Sequence, residues 1–362
     1  MTIFQFIQRP QKRGAEVFAS QLSEELQSLG HKVVLICLFE GVAELPFSGE
    51  IIYLNRPVSK RWYDFYAWKK IAQLIKKRKP DLIQCNAGDT LKFVILSKLF
   101  FCWNVPVITR NASTVSSYIQ SKVTKSLNGF LYKQVNRVIS VSQFSARDLN
   151  ALFSVTKGKT IVIPIGIQQM EINPIPFETG TGDTIHFVHV GGFTFEKNHA
   201  GLLKIWKKIA DSHPNAKLHL LGDGPLRENT RDEVINLKLE NSVVFHGWVK
   251  NPMDYMVNAK ALLLPSIIEG LPGVILEAMY CKTPVIAYDT GGISEVVHNG
   301  KTGYLIPKND EDNFVKAMEN VIVVRQETII ENAFQLVKNN FTNKGIARQF
   351  ESAYLEMVKV SK

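Results

Sequence analysis

From Ile3 to Ile163, short apolar runs alternate with longer segments whose apolar residues recur at helical spacing, and this alternation restricts the fold more than any other feature. The runs Ile3 to Ile7, Val33 to Phe39, Ile51 to Leu54, Leu82 to Cys85, Val105 to Thr109, Arg137 to Val141 and Thr160 to Ile163 predict strands. Between them lie amphipathic segments. In the first of these, opened by Arg13-Gly14-Ala15-Glu16, Val17, Leu22, Leu26 and Leu29 share one face and Gly30 ends the helix. Strand and helix in strict turn predict a parallel sheet covered on both faces. The pattern resumes at Ile185 to Val190, Lys217 to Leu221, Ser242 to Phe245 and Ala261 to Leu264. At 362 residues the chain exceeds one ordinary core. Two α/β domains are expected, over 1–166 and 184–341, with 167–183 as a linker rich in Pro and Gly (Pro174, Pro176, Gly180, Gly182) and 342–362 as a terminal helix able to return to the first domain.

Charge is spread unevenly. Residues up to 165 hold 23 Lys and Arg against 10 Asp and Glu, and the rest hold 20 against 23. A basic first half implies an anionic surface or substrate there. Its densest part combines Lys60, Arg61, Trp62, Tyr63, Phe65, Tyr66, Trp68, Lys69 and Lys70 with Lys76-Lys77-Arg78-Lys79. Basic and aromatic residues together suit the headgroup layer of an anionic membrane; the alternative is an ordinary surface helix with Phe65, Trp68, Ile71, Ala72 and Ile75 turned inward. Nucleic acid is not expected, since no recognised binding module accompanies the charge. Apolar runs are too short for a signal-peptide core or a membrane span, which predicts a cytoplasmic protein, with peripheral membrane contact as the variant. Cys37, Cys85, Cys102 and Cys281 form no Cys-x-x-Cys pair and read as reduced thiols.

The densest motif is Pro265-Ser-Ile-Ile-Glu-Gly-Leu-Pro-Gly-Val-Ile-Leu-Glu277. Its apolar strand ends at Pro265, and Pro272 is placed for the first position of a helix running through Met279. The unpartnered N–H groups of such a helix start, at Gly273 and Val274, attract phosphate. Glu269 and Glu277 flank that anion site. Carboxylates repel phosphate but accept hydrogen bonds from sugar hydroxyls, so the pair suits a ligand with sugar at both ends and phosphate between, a nucleotide sugar. A second loop, Gly191-Gly192-Phe193-Thr194-Phe195-Glu196-Lys197-Asn198, offers glycine amides and a mobile cation to the same kind of ligand.

The Glu269-x7-Glu277 spacing, with Glu-Lys-Asn at 196–198, Gly-Asp-Gly-Pro at 222–225 and Pro-Ser-x-x-Glu-Gly at 265–270, resembles glycosyltransferase family 4. The resemblance implies a GT-B fold, two Rossmann-like domains with parallel sheets facing across a cleft and a C-terminal helix crossing back. It implies transfer of a hexose-type sugar from a nucleotide diphosphate sugar to a hydroxyl of a glycan or lipid-linked acceptor, by retaining chemistry free of metal or other cofactor. Glu269 would then contact the transferred sugar and share catalysis with Lys197 on the diphosphate, while Glu277 would hold the ribose. Further donor contacts would come from Gly191, Gly192, Gly222, Gly224, Trp248, Val249, Gly270, Leu271, Pro272, Gly273 and Val274. Departures from the family pattern are Arg13 for the first Gly of Gly-Gly-x-Glu, Gly192 for an arginine, Ile165 in the Pro-Asn-Gly segment, and no histidine in the acceptor loops. Candidates on the acceptor side are Gly14, Glu16, Asn86, Asp89, Arg110 and Asn111, at the carboxyl ends of strands where open sheets bind ligands. Asp89 or Thr90, and Ser113, could equally serve as helix caps. Asp310-Glu311-Asp312 reads as a helix start, so no metal is assigned. Two other functions share these features: a nucleotide-sugar epimerase, and a catalytically silent sugar-nucleotide or partner-binding protein.

Overall fold

The computed structural model describes residues 1–177 and 184–360, and the end of the expected linker, with Gly180 and Gly182, lies outside them. The chain forms two compact units, Met1–Gln168 joined by the stretch from Thr342, and Gln169–Phe341. Ile167 bridges to Thr342, which keeps it with the first unit. The described residues form parallel sheets of seven and six strands. Each sheet is the core of its own unit.

In the first unit the elements are β1 (Thr2–Ile7), α1 (Gly14–Ser28), β2 (Lys32–Phe39), β3 (Glu50–Arg56), α2 (Phe65–Arg78), β4 (Leu82–Cys85), α3 (Gly88–Phe101), β5 (Val107–Asn111), α4 (Lys122–Lys133), β6 (Arg137–Ser140), α5 (Gln143–Leu152) and β7 (Thr160–Val162). Strand order is β3-β2-β1-β4-β5-β6-β7. The central strands β1, β2 and β4 are buried along most of their length, which is why they read as unbroken apolar runs. β5 starts two residues later than expected. Pro106 has no N–H for the ladder and contributes only its carbonyl, to the Ile83 amide at 3.0 Å.

Helix ends follow local chemistry, with some corrections. Asp64 caps α2 by accepting from the Ala67 amide at 3.0 Å, and Arg56 Nε holds its other oxygen at 2.7 Å. Trp68, Ile71 and Ile75 of α2 are buried, but Phe65 is 44% exposed and Ala72 half-buried, so neither turns fully inward. Phe65 heads the helix and packs at its rim against Phe100 and Phe101. Asp89 does not cap α3: the Ala87 amide donates to Thr90 Oγ1 at 3.0 Å. Ser113 caps nothing, because a short 3₁₀ turn follows at Val115–Ser117 and α4 is capped by Ser121.

The second unit comprises β8 (Ile185–Val190), α6 (His199–Ser212), β9 (Ala216–Leu221), α7 (Arg227–Asn236), β10 (Val243–Gly247), α8 (Met253–Met256), β11 (Ala261–Leu264), α9 (Gly273–Tyr280), β12 (Val285–Tyr288), β13 (Tyr304–Ile306), α10 (Glu311–Val323) and α11 (Glu327–Asn340). Its order is β10-β9-β8-β11-β12-β13, so the chain reverses direction across the sheet between β8 and β11. Asp310 caps α10, and Glu311 and Asp312 both pair with Lys208.

The last helix, α12 (Asn343–Val360), packs on the first unit. Phe350 meets Phe18 of α1 at 5.9 Å, and the buried Tyr354 hydroxyl donates to Gln84 and accepts from Gln5. At the edge, Glu351 meets His31 Nε2 at 2.8 Å. His31 therefore serves as a structural tether at the end of the α1 turn. Among the described residues no helix is long and apolar enough to cross a membrane.

Candidate active site

In the second unit, the loops that follow β8 and β11 meet at the point where the chain reverses, the position at which open α/β sheets bind ligands. Backbone and side chain join them: the Ile267 amide donates to the Glu196 carbonyl at 2.8 Å, and Asn198 Nδ2 to the Pro265 carbonyl at 3.1 Å. Asn198 adopts the left-handed conformation, φ 54°, and its Oδ1 also caps α6 through the Gly201 amide. One residue thus sets both the helix start and the loop spacing. The sequence reading quoted Asn198 but gave it no role.

This spacing brings Lys197 and Glu269, 72 positions apart, into an ion pair of 2.6 Å. Side-chain exposure is 21% for the lysine and 10% for the glutamate, so the pair is shielded but still reachable. The lysine stem is guided by Gly191: a Cβ there would sit 3.2–3.3 Å from its methylenes. Behind Glu269 stands the loop after β12. Gly291, at φ 63°, lies so close that a Cβ would come 2.1 Å from the Glu269 carbonyl oxygen, and the Gly292 amide donates to the Gly270 carbonyl at 2.6 Å. The Tyr288–Glu295 glycines buttress the carboxylate loop.

Gly222 and Gly224 have a similar cause. A Cβ on Gly222 would come 2.0 Å from the Gly191 carbonyl, and one on Gly224 2.7 Å from Phe193 backbone atoms. The two glycines let the β8 and β9 loops pack backbone on backbone. Gly192 is less restricted, its nearest neighbour being the Asp223 carbonyl at 3.4 Å.

Pro272 is not the first helical residue but the N-cap of α9, with extended backbone (φ −77°, ψ 123°). Residue Gly273 opens the helix, and the first bond of the turn runs from the Ile275 amide to the Pro272 carbonyl. Amides of Gly273 and Val274 make no hydrogen bond among the described residues, which leaves an anion-attracting end beside Gly270 and Leu271. One turn on, Glu277 has no side-chain hydrogen bond among the described residues, and burial of its carboxyl group pushes its pKa up to about 7. Beneath the Gly191–Lys197 loop, burial pushes the pKa of His189 down to about 4 and that of His199 further still, with the Lys197 charge adding to both. They are neutral at physiological pH. Among the described residues Ser266 Oγ, Thr290 Oγ1 and His189 Nε2 are buried without hydrogen-bond partners, each on or just after a strand of the second sheet.

At the β10 end, Gly247 has φ 69° and the Gly222 amide donates to its carbonyl at 2.7 Å. Trp248, 47% exposed, and Val249 follow. Sequence reading missed the row of imidazoles leading there: His186 to His219 at 2.9 Å and His219 to His246 at 2.8 Å, one histidine from each of β8, β9 and β10. It also missed Arg227, whose buried Nε lacks a partner and whose Nη2 lies 3.8 Å from a Cβ placed on Gly247.

The first-unit candidates divide in two. Asn86 and Asn111 are buried and spend their amides internally, Asn86 on Gln5, Gln84 and the Phe6 carbonyl, Asn111 on Ser140 and the Ser145 carbonyl. Asp89 is likewise committed, to Gln8 at 2.8 Å, Arg61 at 3.0 Å and Lys92 at 3.1 Å. Gly14, Glu16 and Arg110 surround the start of α1. Glu16 accepts from Gln11 at 2.8 Å, and burial raises its pKa above the usual carboxylate range.

The family model for glycosyl transferases group 1 matches residues 172–336, and that for Glycosyltransferase Family 4 matches residues 12–169. Among curated relatives, the N-acetyl-alpha-D-glucosaminyl L-malate synthase of Bacillus anthracis is 24% identical over 98% of this chain and 96% of its own length. The gpi3 subunit of the phosphatidylinositol N-acetylglucosaminyltransferase of Schizosaccharomyces pombe is 26% identical over 95% of this chain and 78% of its own. The solved structure of Anabaena Alr3699/HepE in complex with UDP and glucose has a TM-score of 0.83 at 19% identity, covering 98% of this chain and 100% of that one. That likeness concerns the fold, the GT-B class with two Rossmann-like units. With both halves matched in order, and with the Glu269–Glu277 motif seated at the switch point of the second sheet, the chain belongs to the group 1 glycosyltransferases.

Proposed function

We propose that this glycosyltransferase moves a hexose-type sugar from a nucleoside diphosphate sugar to a hydroxyl of a glycan or lipid-linked acceptor, with retention and without a metal. The Lys197–Glu269 pair carries the reading. Paired with each other, these groups neutralise their charges. Each also suits one half of a donor, Lys197 the diphosphate and Glu269 the hydroxyls of the transferred sugar. Glu277 takes the ribose, Trp248 and Val249 flank the base, and the amides of Gly191, Gly192, Gly273 and Val274 line the diphosphate path beside Gly222, Gly224, Gly270, Leu271 and Pro272. Lys197 and the α9 amides supply positive charge as the diphosphate leaves, the task a metal would otherwise perform. The leaving diphosphate helps to take the proton of the attacking hydroxyl. Of the first-unit candidates, Gly14, Glu16 and Arg110 remain for the acceptor, since Asn86, Asp89 and Asn111 are spent on the protein itself.

The names of the two curated relatives support acceptors of the glycolipid and small hydroxy-acid kind. A lipid-linked acceptor also fits the face around α2, where Trp62, Tyr63 and Tyr66 are 66%, 68% and 54% exposed among lysines. We assign that face to the cytoplasmic surface of an anionic membrane. The test is a screen of uridine, guanosine and adenosine diphosphate sugars for nucleotide release with lipid and glycan acceptors. Product formed by the wild type and lost in Glu269→Ala, whose fold survives, supports the reading. An epimer formed from donor alone, or a biological phenotype intact in Glu269→Ala, would replace it with one of the rival functions.

A further inference from the structure

Arg110, near the end of β5, is 6% exposed, and its Nε and Nη1 are fully buried without a hydrogen-bond partner. No ion pair reaches its guanidinium among the described residues. The Phe18 ring lies 4.0 Å from the guanidinium carbon, and the field of Glu16 reaches it without a hydrogen bond or ion pair. A cation–π contact recovers only part of the solvation that burial removes from a charged group. Burial lowers its pKa to about 10, so it remains charged at neutral pH. A buried cation that the fold leaves unpaired calls for an anion from outside.

The surroundings are built for one. Phe18 lies in the second turn of α1, and the field of Glu16, in the first turn, acts on Arg110, so the guanidinium sits at the start of that helix. Arg13 caps α1 with backbone only, and the first intrahelical bond runs from the Val17 amide to the Arg13 carbonyl. The amides of Gly14 and Ala15 make no hydrogen bond among the described residues, while the Glu16 amide faces its own carboxylate. A Cβ on Gly14 would meet nothing within 4 Å, so the helix start is open on that side. Arg9, with its own buried and unpartnered Nε, and Arg13 act on Glu16 as well. Glu16, engaged by Gln11, is the carboxylate whose field meets these three arginines among the described residues. The place is the switch point of the first sheet, where β1 and β4 are neighbours.

We propose that Arg110, Arg9, Arg13 and the open amides of α1 form an anion site in the first unit, and that it grips a phosphate or carboxylate carried by the sugar acceptor. The acceptor role rests on the glycosyltransferase reading above; the anion site does not. It makes the acceptor an anionic molecule, held by its charge while a separate hydroxyl receives the sugar.

Hydrogen exchange of the full chain tests this, with inorganic phosphate and malonate as separate probes and chloride at equal ionic strength as control. Phosphate, malonate or both should slow exchange in a peptide spanning residues 9–18, and whichever protects names the group. Arg110→Gln should lose that protection, weakening the anion at least tenfold, while melting no lower than the wild type because a buried unpaired charge is gone. Arg110→Lys, which keeps the charge without the fork, should fold and bind weakly. Absence of protection by either anion in the wild type, equal protection in Arg110→Gln, or a marked loss of stability in both variants would overturn the site. Protection of residues 191–199 by a nucleotide sugar is followed in the same samples and reports the donor site independently.

Discussion

Titrating a nucleoside diphosphate sugar onto the protein across the neutral range tests the carboxylate on α9. Such a ligand has no phosphate group that titrates near neutrality, so any pH dependence belongs to the protein. Burial raises Glu277 from 4.5 to about 7, worth roughly 3 kcal/mol. The residue keeps some exposed surface, so this is an upper bound. Ribose hydroxyls donate to the ionised form and pull the pKa of the bound carboxylate down. Affinity then falls as pH drops through 7, by about tenfold between pH 8 and pH 6. Glu277→Gln should flatten the profile. The free protein carries the opposite sign: folding favours the protonated acid, so this contribution is complete below 4.5 and is lost as pH rises through about 7. Glu277→Gln should therefore melt higher than wild type at pH 8 and alike near pH 4.5. Calorimetric Kd values and melting curves at matched pH read both effects. A pH profile unchanged in Glu277→Gln would refute the assignment of ribose to this carboxylate.

Lys197→Met should weaken nucleotide-sugar binding by roughly ten- to a hundredfold, the worth of one charge-assisted contact, and unchanged calorimetric affinity would remove Lys197 from the diphosphate. Gly222→Ala places a Cβ 2.0 Å from the Gly191 carbonyl at φ 137°; it should cost about 2–4 kcal/mol, seen as a lower melting temperature, and an unchanged one would contradict the packing of the two loops. Lys69→Gln with Lys70→Gln should reduce binding to phosphatidylglycerol vesicles, read by sedimentation, about thirtyfold at low salt, at ~1 kcal/mol per lysine. Wild-type protein that fails to sediment would end the membrane assignment.

What could be read from residues alone was set by burial and by the chain itself. Strands such as β1 and β4 are covered on both faces, so their apolar runs announce them. Asp310 and Gly30 announce helix ends because caps are local. The glycine-rich turns after β8 and β11 could be picked out for the same reason. Their mutual arrangement could not. That Lys197 meets Glu269, that Gly291 exists for the Glu269 carbonyl and Gly222 for that of Gly191, and that three separated histidines form one row are facts of tertiary approach. Pro272 illustrates the finer limit: N-cap and first helical position have the same sequence signature, and only its ψ of 123° separates them. Arg110 shows the reverse limit, since nothing local reveals that a strand-end arginine lacks a partner.

The two units hold their exposed chemistry in different electrostatic states, and the difference bears on how each would respond to ligand. In the second, Lys197 and Glu269 already satisfy each other, so the pair carries little uncompensated charge. A donor must break that pair, and in the proposed reading it offers phosphate to one member and hydroxyls to the other in the same event. A ligand with only one of these groups would take one member and deprive the other of its 2.6 Å partner, which is costly in a shielded site. Free sugar and free phosphate should therefore bind far more weakly than the joined molecule, and the pair acts as a filter for ligands that carry both. Arg110 has no such internal partner to surrender. An anion reaching it relieves a cost that the folded chain already bears, so a simple phosphate or carboxylate suffices there, where the second unit demands the whole donor.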